Sequence, residues 1–416
     1  MSKIKKITAI QIINSRGIPT LKTYVFLDDG VMGFSMVPQG ASIGAKEAVE
    51  VFDQDEKMFA GFSLKNNIIS IETTINETLV GMEIADQKSI DQKLIQLDGT
   101  PNKAKLGANT LLSVSLACTR AASLSLKKEL FVYLGELSGN KDLHLGTLMF
   151  NFINGGAHAS NNLEIQEFLV IPKASSFFEA IKIGDEIYLK LKQLIKAKGQ
   201  GLGLGDEGGF APTLENNQEA IELIAEAAKA SGNGEKIVLG LDAAADNFYQ
   251  AETNQYKIGG QLITNDQLIA YYKSIAQGLP VKSLEDPMSE DDTIGWQKIK
   301  TTFPNLQIVG DDLFVTNPSI IQDKQKLANA IIIKPNQIGT LSETLEAIKI
   351  AKKAGMKIII SHRSGETEDT FIADLAVGVG ADEVKFGSLA RSERLAKYNR
   401  LLEIEAFNNL PYKQAL

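Results

Sequence analysis

The 416-residue sequence is short of cysteine and of long hydrophobic runs. The single cysteine, Cys118, excludes an intramolecular disulfide and favours a reducing compartment. It lies in an apolar helical pattern, so a buried side chain is a better interpretation than a nucleophile. No run approaches the roughly 18 apolar residues of a membrane span, and the basic-then-apolar start lacks a small-residue cleavage site. We therefore expect no membrane span and a cytoplasmic location, and a secondary location at the cell surface stays open.

The chain also lacks an excess of positive charge. Its 43 Lys and Arg residues against 51 Asp and Glu residues give a formal net charge of −8. Broad nucleic-acid binding needs a basic face, so we expect no nucleic-acid partner. A small anionic substrate is still compatible, because local Lys and Arg residues decide its binding rather than the total charge. The length is enough for two domains, since about 250 residues already form a barrel.

Between residues 237 and 385, short apolar segments repeatedly end in a charged residue. The segments are rich in Val, Ile and Leu and lack alternation, which is typical of strands buried on both faces. From residue 285 onward their ends are 23 to 28 residues apart, about one strand plus one crossover helix. This repetition predicts a parallel α/β barrel. The residues at the segment ends are Asp242, Glu285, Asp311, Lys334, the run His362, Arg363 and Ser364, and finally Lys385.

The charged residues at these ends predict a metal-assisted site. Catalytic groups of such barrels come from the C-terminal ends of the strands. Three carboxylates at one mouth repel one another unless a cation lies between them, and hard oxygen ligands suit Mg²⁺. Two Lys residues and an Arg nearby favour an anionic substrate held on that metal. A single Asp after a strand is more often a helix cap, but the ordered series as a whole favours the metal site.

A polar, loop-like stretch near residues 138–145 marks the domain boundary. It divides the chain into an N-terminal capping domain over residues 1–137 and a catalytic barrel over residues 138–416. In the first part, residues 4–36 are predicted to form strands joined by turns, and residues 107–126 a long apolar helix at its centre.

A glycine-rich stretch lies before these strand-end residues in the chain. It covers residues 201–212, GLGLGDEGGFAP, and five of its glycines surround Asp206 and Glu207. It is not a Walker loop, since it lacks the Lys-Ser/Thr ending, nor a dinucleotide fingerprint, since no strand precedes its glycines. A carboxylate held among glycines can be approached closely by a substrate. An acidic turn exposed to water is the alternative.

Taken together, these stretches resemble the enolase family, the lyases that interconvert 2-phosphoglycerate and phosphoenolpyruvate in glycolysis. The resemblance runs from SRGIPT to RSERLAKYN, with GDEGG, GDDLFVTN, IIIKPNQIGT and SHRSGETED as its most specific motifs. It implies a smaller N-terminal α+β domain and an enolase-type modified TIM barrel that begins with antiparallel strands. It also implies a phosphorylated three-carbon acid as substrate, a homodimer or higher homo-oligomer, and two Mg²⁺ ions per active site, the second entering with substrate.

The resemblance also assigns roles to residues. The first Mg²⁺ would be bound by Asp242, Glu285 and Asp311, and the second by Ser42. Lys334 would be the general base, and Glu207 the acid that assists loss of the 3-hydroxyl. The remaining assignments are Glu167 as neighbour of that acid, Gln166 as a substrate contact, His158 as a loop histidine that closes over substrate, Arg363 and Ser364 as phosphate contacts, and Lys385 as a cation near the substrate carboxylate.

Two expectations about protonation follow from these roles. Lys334 must be neutral to accept a proton, and we expect Lys385 and the metal to disfavour its ammonium form. Hydroxide is a poor leaving group, so Glu207 must be able to carry a proton. We expect the neighbouring carboxylate of Glu167 to raise its proton affinity.

The departures from the family pattern concentrate in the loop over residues 39–44, with others in the first turn motif and next to Asp242. Gln39 and Ile43 replace a serine and a threonine, and Asn14 replaces an aspartate in the first turn motif. Because Gln39 has more rotamers to freeze than serine, we expect costlier loop closure and weaker binding of the second Mg²⁺. Two alternatives stay open: a racemase or cycloisomerase of the same superfamily, and a non-catalytic paralogue that keeps the fold.

Overall fold

The computed structural model describes residues 2–40, 44 and 46–416 of the chain. Ser42 and Ile43, which carry predictions about the second metal and loop closure, lie outside these residues. Within the described part, no helix is both long enough and apolar enough to cross a membrane.

The chain begins with a three-stranded antiparallel sheet of β1 (Ile4–Ile13), β2 (Pro19–Leu27) and β3 (Met32–Met36). The helices that follow are α1 (Lys65–Ser70), α2 (Asn76–Leu79), α3 (Gln87–Asp98), α4 (Ala108–Ser125) and α5 (Leu130–Ser138). The small residues of α4 let it lie directly on the sheet: a Cβ at Gly33 would be 2.3 Å from the backbone nitrogen of Ala121. The predicted strands, the central apolar helix and the buried Cys118 are confirmed.

The second part of the chain alternates strands and helices. Its strands are β4 (Thr147–Leu148), β5 (Phe150–Asn154), β6 (Glu167–Pro172), β7 (Ile237–Asp242), β8 (Tyr249–Gln250), β9 (Gln255–Ile258), β10 (Gln261–Ile263), β11 (Val281–Glu285), β12 (Gln307–Gly310), β13 (Ala330–Ile333), β14 (Lys357–Ser361) and β15 (Glu383–Lys385). Its helices are α6 (Phe177–Ala197), α7 (Asn217–Ala230), α8 (Asn265–Ile275), α9 (Thr293–Thr302), α10 (Pro318–Lys324), α11 (Leu341–Lys353), α12 (Phe371–Val379) and α13 (Ser392–Asn408).

Most of these strands form one sheet that closes into a barrel. The strand order is β4-β15-β14-β13-β12-β11-β7-β6-β5. Only Met149 separates β4 from β5, so the two ends of the sheet belong to one stretch of chain. Strand β6 pairs antiparallel with both β5 and β7, whereas the pairs from β7 round to β4 are parallel. The α/β barrel with an antiparallel start is confirmed.

The barrel interior explains why the strands lack hydrophobic alternation. In β13, Ala330 and Ile332 point into the barrel, where Met149, Leu169, Ile171, Val238, Val309 and Ile359 also lie. Ile331 and Ile333 of the same strand belong to the layer under the outer helices. Both faces are therefore buried, and each large side chain contributes about 1.5–3 kcal/mol by leaving water. Because apolar side chains fill the interior, the charged groups lie at the strand ends.

Candidate active site

The strand ends converge on one cavity at the C-terminal mouth of the barrel. Among the described residues, its lining is Glu47, His158, Gln166, Glu167, Glu207, Asp242, Ala244, Asp286, Asp311, Asp312, Lys334, Arg363 and Ser364. The ammonium of Lys385 connects Glu285 to the same group. The structure therefore brings together every predicted site residue that it describes. Ser42 lies outside the described residues.

Lys385 lies among the carboxylates at the floor of the mouth. Its Nζ is 2.8 Å from Glu285 Oε1, 3.0 Å from Glu167 Oε2 and 3.2 Å from Asp242 Oδ2. Burial and the nearby charge of Asp242 raise the pKa of Glu285 well above its usual range, although Lys385 opposes this. One buried cation thus faces three buried carboxylates, which would leave a surplus of negative charge if all three were ionised.

The predicted metal ligands have a donor set that fits a divalent cation. Asp242, Glu285 and Asp311 are buried, offer only oxygen atoms and, when all three are ionised, carry one more charge than Lys334 and Lys385 neutralise. Hard ions such as Mg²⁺ prefer such ligands. The three do not by themselves form a tight cluster of donors in the described structure, because lysine ammonium groups lie against them. Asp311 does cluster with Asp286 and Asp312, within 4.8 Å.

Lys334 follows β13 and contacts Asp311 Oδ2, and Gln337 Nε2 donates to the other oxygen of Asp311 at 2.9 Å. Burial acts to lower the pKa of Lys334, but the Asp311 carboxylate outweighs it and the pKa is raised. The expectation that the surroundings of Lys334 disfavour its ammonium form is therefore wrong for this arrangement. Lys385 and Arg363 do act in the expected direction, yet Asp311 is the closer charge.

On the other side of the mouth, Glu167, Glu207 and His158 form a buried group. His158 Nδ1 is 3.5 Å from Glu167 Oε1 and 3.6 Å from Glu207 Oε1. Burial and the charge of Glu207 raise the pKa of Glu167 to about 7. Burial also acts to raise the pKa of Glu207, but His362 and His158 outweigh it, and that pKa falls well below its usual range. The expected order is therefore reversed, because a proton shared by the pair is favoured on Glu167.

The glycines around Glu207 serve close packing. A Cβ at Gly205 or Gly209 would lie 2.6 or 2.7 Å from the side-chain oxygen of Asn154, and one at Gly208 would lie 2.6 Å from a backbone oxygen. Gly208 also has a φ of +84°, which side chains disfavour. Glu207 itself is buried, so the alternative of an acidic turn exposed to water is wrong for this residue.

Arg363, one of the two residues predicted to bind phosphate, is already paired with a carboxylate. Arg363 donates from Nη1 to Glu47 Oε2 at 2.7 Å and from Nη2 to Glu47 Oε1 at 3.1 Å. Nη1 also donates to Asn336 Oδ1 at 3.1 Å. Such a two-point contact fixes the plane of the guanidinium. Glu47 was not among the predicted site residues, since nothing in its local sequence distinguishes it from an exposed helix-start glutamate.

Asn151 and His362 are further residues that sequence reasoning did not assign. Asn151 Nδ2 donates to Glu207 Oε2 at 3.0 Å, and His362 Nε2 lies 3.1 Å from the same oxygen. His362 directly precedes the predicted phosphate residues, which was a usable signal. Asn151 had no comparable signal, because a polar residue in an apolar strand is uninformative without its neighbours.

Gln39, at the start of the loop that departs from the family pattern, is hydrogen-bonded to two other segments. Gln39 pairs with Gly365 through two backbone hydrogen bonds of 2.7 and 2.9 Å. Its Oε1 accepts from Asn14 Nδ2 at 3.2 Å, and both side chains are buried. In this arrangement the Gln39 side chain is already hydrogen-bonded, which reduces the rotamer freedom left to lose on closure; costlier closure stays a prediction. Asn14 and Gln39, which both depart from the family pattern, therefore contact each other.

We expect Gln39→Ser alone to lower stability, because serine is too short to reach Asn14 and leaves a buried amide without its acceptor. The expected loss is about 1–3 kcal/mol, measured as a lower thermal midpoint. Adding Asn14→Asp should recover part of it, because the carboxylate has no buried N–H left without an acceptor and still accepts from the backbone N–H groups of Arg16 and Ile18. A Gln39→Ser variant as stable as the parent protein would contradict this coupling.

Comparisons with known proteins cover nearly the whole chain. Residues 4–134 match the family model described as enolase, N-terminal domain, and residues 143–411 match enolase, C-terminal TIM barrel domain. The chain is 46% identical over 415 residues to a protein named enolase from Legionella pneumophila strain Lens, and 45% identical to the enolase of strain Paris. Each alignment covers 98% of this chain and 98% of the relative.

Proposed function

The chain belongs to the enolase family, and we propose how its barrel mouth performs the reaction of that family. The protein is an enzyme, a glycolytic hydro-lyase that interconverts 2-phosphoglycerate and phosphoenolpyruvate plus water with a divalent metal. One observation carries the proposal of residue roles. Lys334 follows β13 and Glu167 begins β6, and these strands lie four places apart in the barrel. A base and an acid group therefore face each other across one cavity.

In this proposal, Asp242, Glu285 and Asp311 hold the first Mg²⁺, and Ser42 contributes to a second that arrives with substrate. The surplus of buried negative charge supports the first site. When bound, the metal stabilises the negative charge that develops on the substrate carboxylate. Lys385, a buried cation beside these ligands, adds to that field.

Lys334 takes the proton from C2 of the substrate. It must be neutral to do so, and Asp311 is the neighbour that raises its pKa most. Asp311 is also one of the three residues that would hold the first Mg²⁺, so the same carboxylate would then have two cationic partners. Of the other influences on Lys334, burial and the charges of Arg363 and Lys385 lower its pKa, and the charge of Glu285 raises it. If Asp311 held the metal, Lys334 would lose its nearest counter-ion and its neutral form would be favoured.

Glu207 and Glu167 share the proton that departs with the 3-hydroxyl. The pKa of about 7 at Glu167 makes it the reserve of that proton, and Glu207 passes it to the leaving oxygen. His158, between the two carboxylates, stabilises their charge. Gln166 lines the cavity beside them, and Arg363 and Ser364 hold the phosphate with the guanidinium already oriented by Glu47.

The proposal also covers the domain bounds, the oligomeric state and the location of the protein. We propose that residues 1–137 form the capping domain and residues 138–416 the barrel. We propose a homodimer or higher homo-oligomer, to be measured by sedimentation, and a cytoplasmic location.

The function is tested by following the ultraviolet absorbance of phosphoenolpyruvate after 2-phosphoglycerate is added. We expect product in the presence of Mg²⁺, its loss on addition of a chelator, and its return when Mg²⁺ is restored. Equal rates with and without chelator would contradict metal dependence. Failure to form product at any metal concentration would favour the non-catalytic paralogue.

We expect Asp311→Asn to weaken Mg²⁺ binding at least about 100-fold. Mutating a residue that only supports a metal ligand already lowers metal affinity about 10–100-fold, and Asp311 is proposed as a ligand itself. Titration calorimetry measures this directly. Asp266→Asn is the matched control, because it removes one carboxylate that is exposed and paired with Lys298 outside the mouth. Equal affinities of the two variants would remove Asp311 from the metal site.

A further inference from the structure

Arg394, in the RSERLAKYN motif, is fully buried and joins two segments of the mouth. Its Nη1 donates to His362 Nδ1 at 2.7 Å and to the backbone carbonyl of Arg363. Its Nη2 donates to the carbonyl of Asp206 at 3.0 Å and to that of Ser364 at 2.6 Å. One guanidinium thus ties the segment that holds Glu207 to the segment predicted to bind phosphate.

The contact with His362 fixes which ring nitrogen carries the proton. A guanidinium has only donors, so Nδ1 of His362 must act as the acceptor and be unprotonated. A neutral ring then carries its proton on Nε2. Burial lowers the pKa of His362 to about 3, so the ring is neutral at physiological pH.

Nε2, the nitrogen that carries this proton, lies beside the carboxylate of Glu207. Nε2 lies 3.1 Å from Glu207 Oε2, although no hydrogen bond of good geometry is completed at this nitrogen within the described residues. Asn151 Nδ2 donates to the same oxygen at 3.0 Å. Oε2 therefore faces two donors. Oε1 faces His158 Nδ1 at the longer distance of 3.6 Å.

The two oxygens of Glu207 consequently differ in what they can do. A proton on Oε2 would face the N–H groups of Asn151 and His362, which also need an acceptor. At least one hydrogen bond to this oxygen would then be lost. A proton on Oε1 meets no such conflict with Asn151 or His362. The transferable proton therefore belongs on Oε1.

We propose that Arg394 is a positioning residue that fixes the Nε2–H tautomer of His362, thereby holding Glu207 Oε2 as an acceptor and leaving Oε1 to move the proton. The proposal rests on the acid role proposed for Glu207. In dehydration the Oε1–H bond breaks, its proton goes to the 3-hydroxyl oxygen, and the C3–O bond breaks with its electron pair on the departing water. The electron pair left at C2 forms the C2–C3 double bond, and Glu207 ends as a carboxylate.

A purely structural role of Arg394 makes a different prediction. If its only task were to hold the carbonyls of Asp206, Arg363 and Ser364, its loss would impair proton removal at C2, dehydration and phosphate binding together. Acting through His362, it affects dehydration most, because Lys334 removes the C2 proton on the other side of the cavity.

The first test is ¹⁵N NMR of the histidine rings in the wild-type protein. The chain has three histidines, and the spectrum of His362→Gln identifies the signals of His362. We expect Nε2 of His362 to be protonated and Nδ1 to be unprotonated throughout the neutral pH range. A protonated Nδ1, or a ring protonated on both nitrogens, would overturn the proposal. Because this measurement needs no activity, it separates failure of this inference from failure of the proposed function.

The second test compares Arg394→Met and Arg394→Lys in dehydration and in exchange of the C2 proton with solvent deuterium. We expect Arg394→Met to slow dehydration about 100-fold and to slow exchange less than about tenfold. Arg394→Lys should restore most of the dehydration rate, since lysine also only donates. Equal losses in both reactions would overturn the inference and leave Arg394 with a structural role.

A double variant shows whether Arg394 acts through the histidine. In His362→Gln no tautomer remains to be selected, so adding Arg394→Met should slow dehydration little further. Losses that multiply in the double variant would contradict the inference. If Arg394→Met does not fold, the NMR spectrum of Arg394→Lys decides: a protonated Nδ1 with unchanged dehydration would overturn it.

Discussion

Lys334→Ala should abolish the exchange of the C2 proton of 2-phosphoglycerate with solvent deuterium and lower kcat by about 10⁴-fold. Lys334 follows the parallel strand β13, reaches the cavity and is the predicted base. Alanine at this position offers no atom that accepts a proton. Proton NMR of the substrate in deuterated buffer measures the exchange directly.

Measuring Mg²⁺ affinity in Lys334→Ala shows whether the activity is lost through the missing base or through a damaged metal site. Lys334 contacts Asp311, so its removal frees a metal ligand, and Mg²⁺ affinity should stay the same or rise. Lys349→Ala is the control, because this lysine lies exposed on α11 and pairs only with Glu346 in the described structure. Normal exchange in Lys334→Ala would show that another group takes the C2 proton.

Glu207→Gln should block dehydration while the C2 proton still exchanges. The amide keeps the size of the side chain, and its oxygen can still accept from Asn151 and from His362. It cannot deliver a proton to the leaving hydroxyl, and we expect dehydration to fall about 10³-fold. Phosphoenolpyruvate formation and deuterium incorporation, followed in one sample, measure both effects.

The neighbouring substitution Asp206→Asn is the matched control for Glu207→Gln. Asp206 belongs to the same loop but is half-exposed and pairs with Arg16. Its backbone carbonyl, which accepts from Arg394, is unchanged by the substitution. It should therefore retain most of the dehydration rate. Parallel loss of exchange and dehydration in Glu207→Gln would mean that the residue supports the fold of the site rather than the second step.

The barrel and its mouth were predictable because their signals are local. A segment such as Ala330–Ile333, apolar at every position, is needed only where both faces of a strand are buried. The charged residue after each strand then lies at one end of the barrel. The antiparallel pairing of β5 with β6 was different, since it came from the family resemblance and not from any pattern in those residues.

Protonation states were not predictable, because they depend on distances between residues far apart in the sequence. Asp311 reverses the expected direction at Lys334 because it is the nearest charge. His362 and His158 reverse the expected order of Glu167 and Glu207, although 155 residues separate His362 from Glu207. The sequence identified groups that lie together at the mouth, but not which carboxylate carries the shared proton.

The two alternatives considered from sequence have different outcomes. The enolase match over nearly the full length excludes a racemase or cycloisomerase of the same superfamily as the identity of this chain. A non-catalytic paralogue was suggested by the changed loop. The contact between Asn14 and Gln39 weakens that argument, because it gives the two changed positions a shared structural reason.

The most direct measurement is a crystal structure of the protein with Mg²⁺ and 2-phosphoglycerate. We predict the first ion among Asp242, Glu285 and Asp311, with Lys334 Nζ beside C2. Glu207 Oε1, on the opposite face of the substrate, should lie beside the 3-hydroxyl. An ion bound outside those three carboxylates, or Lys334 and Glu207 on the same face of the substrate, would contradict the account.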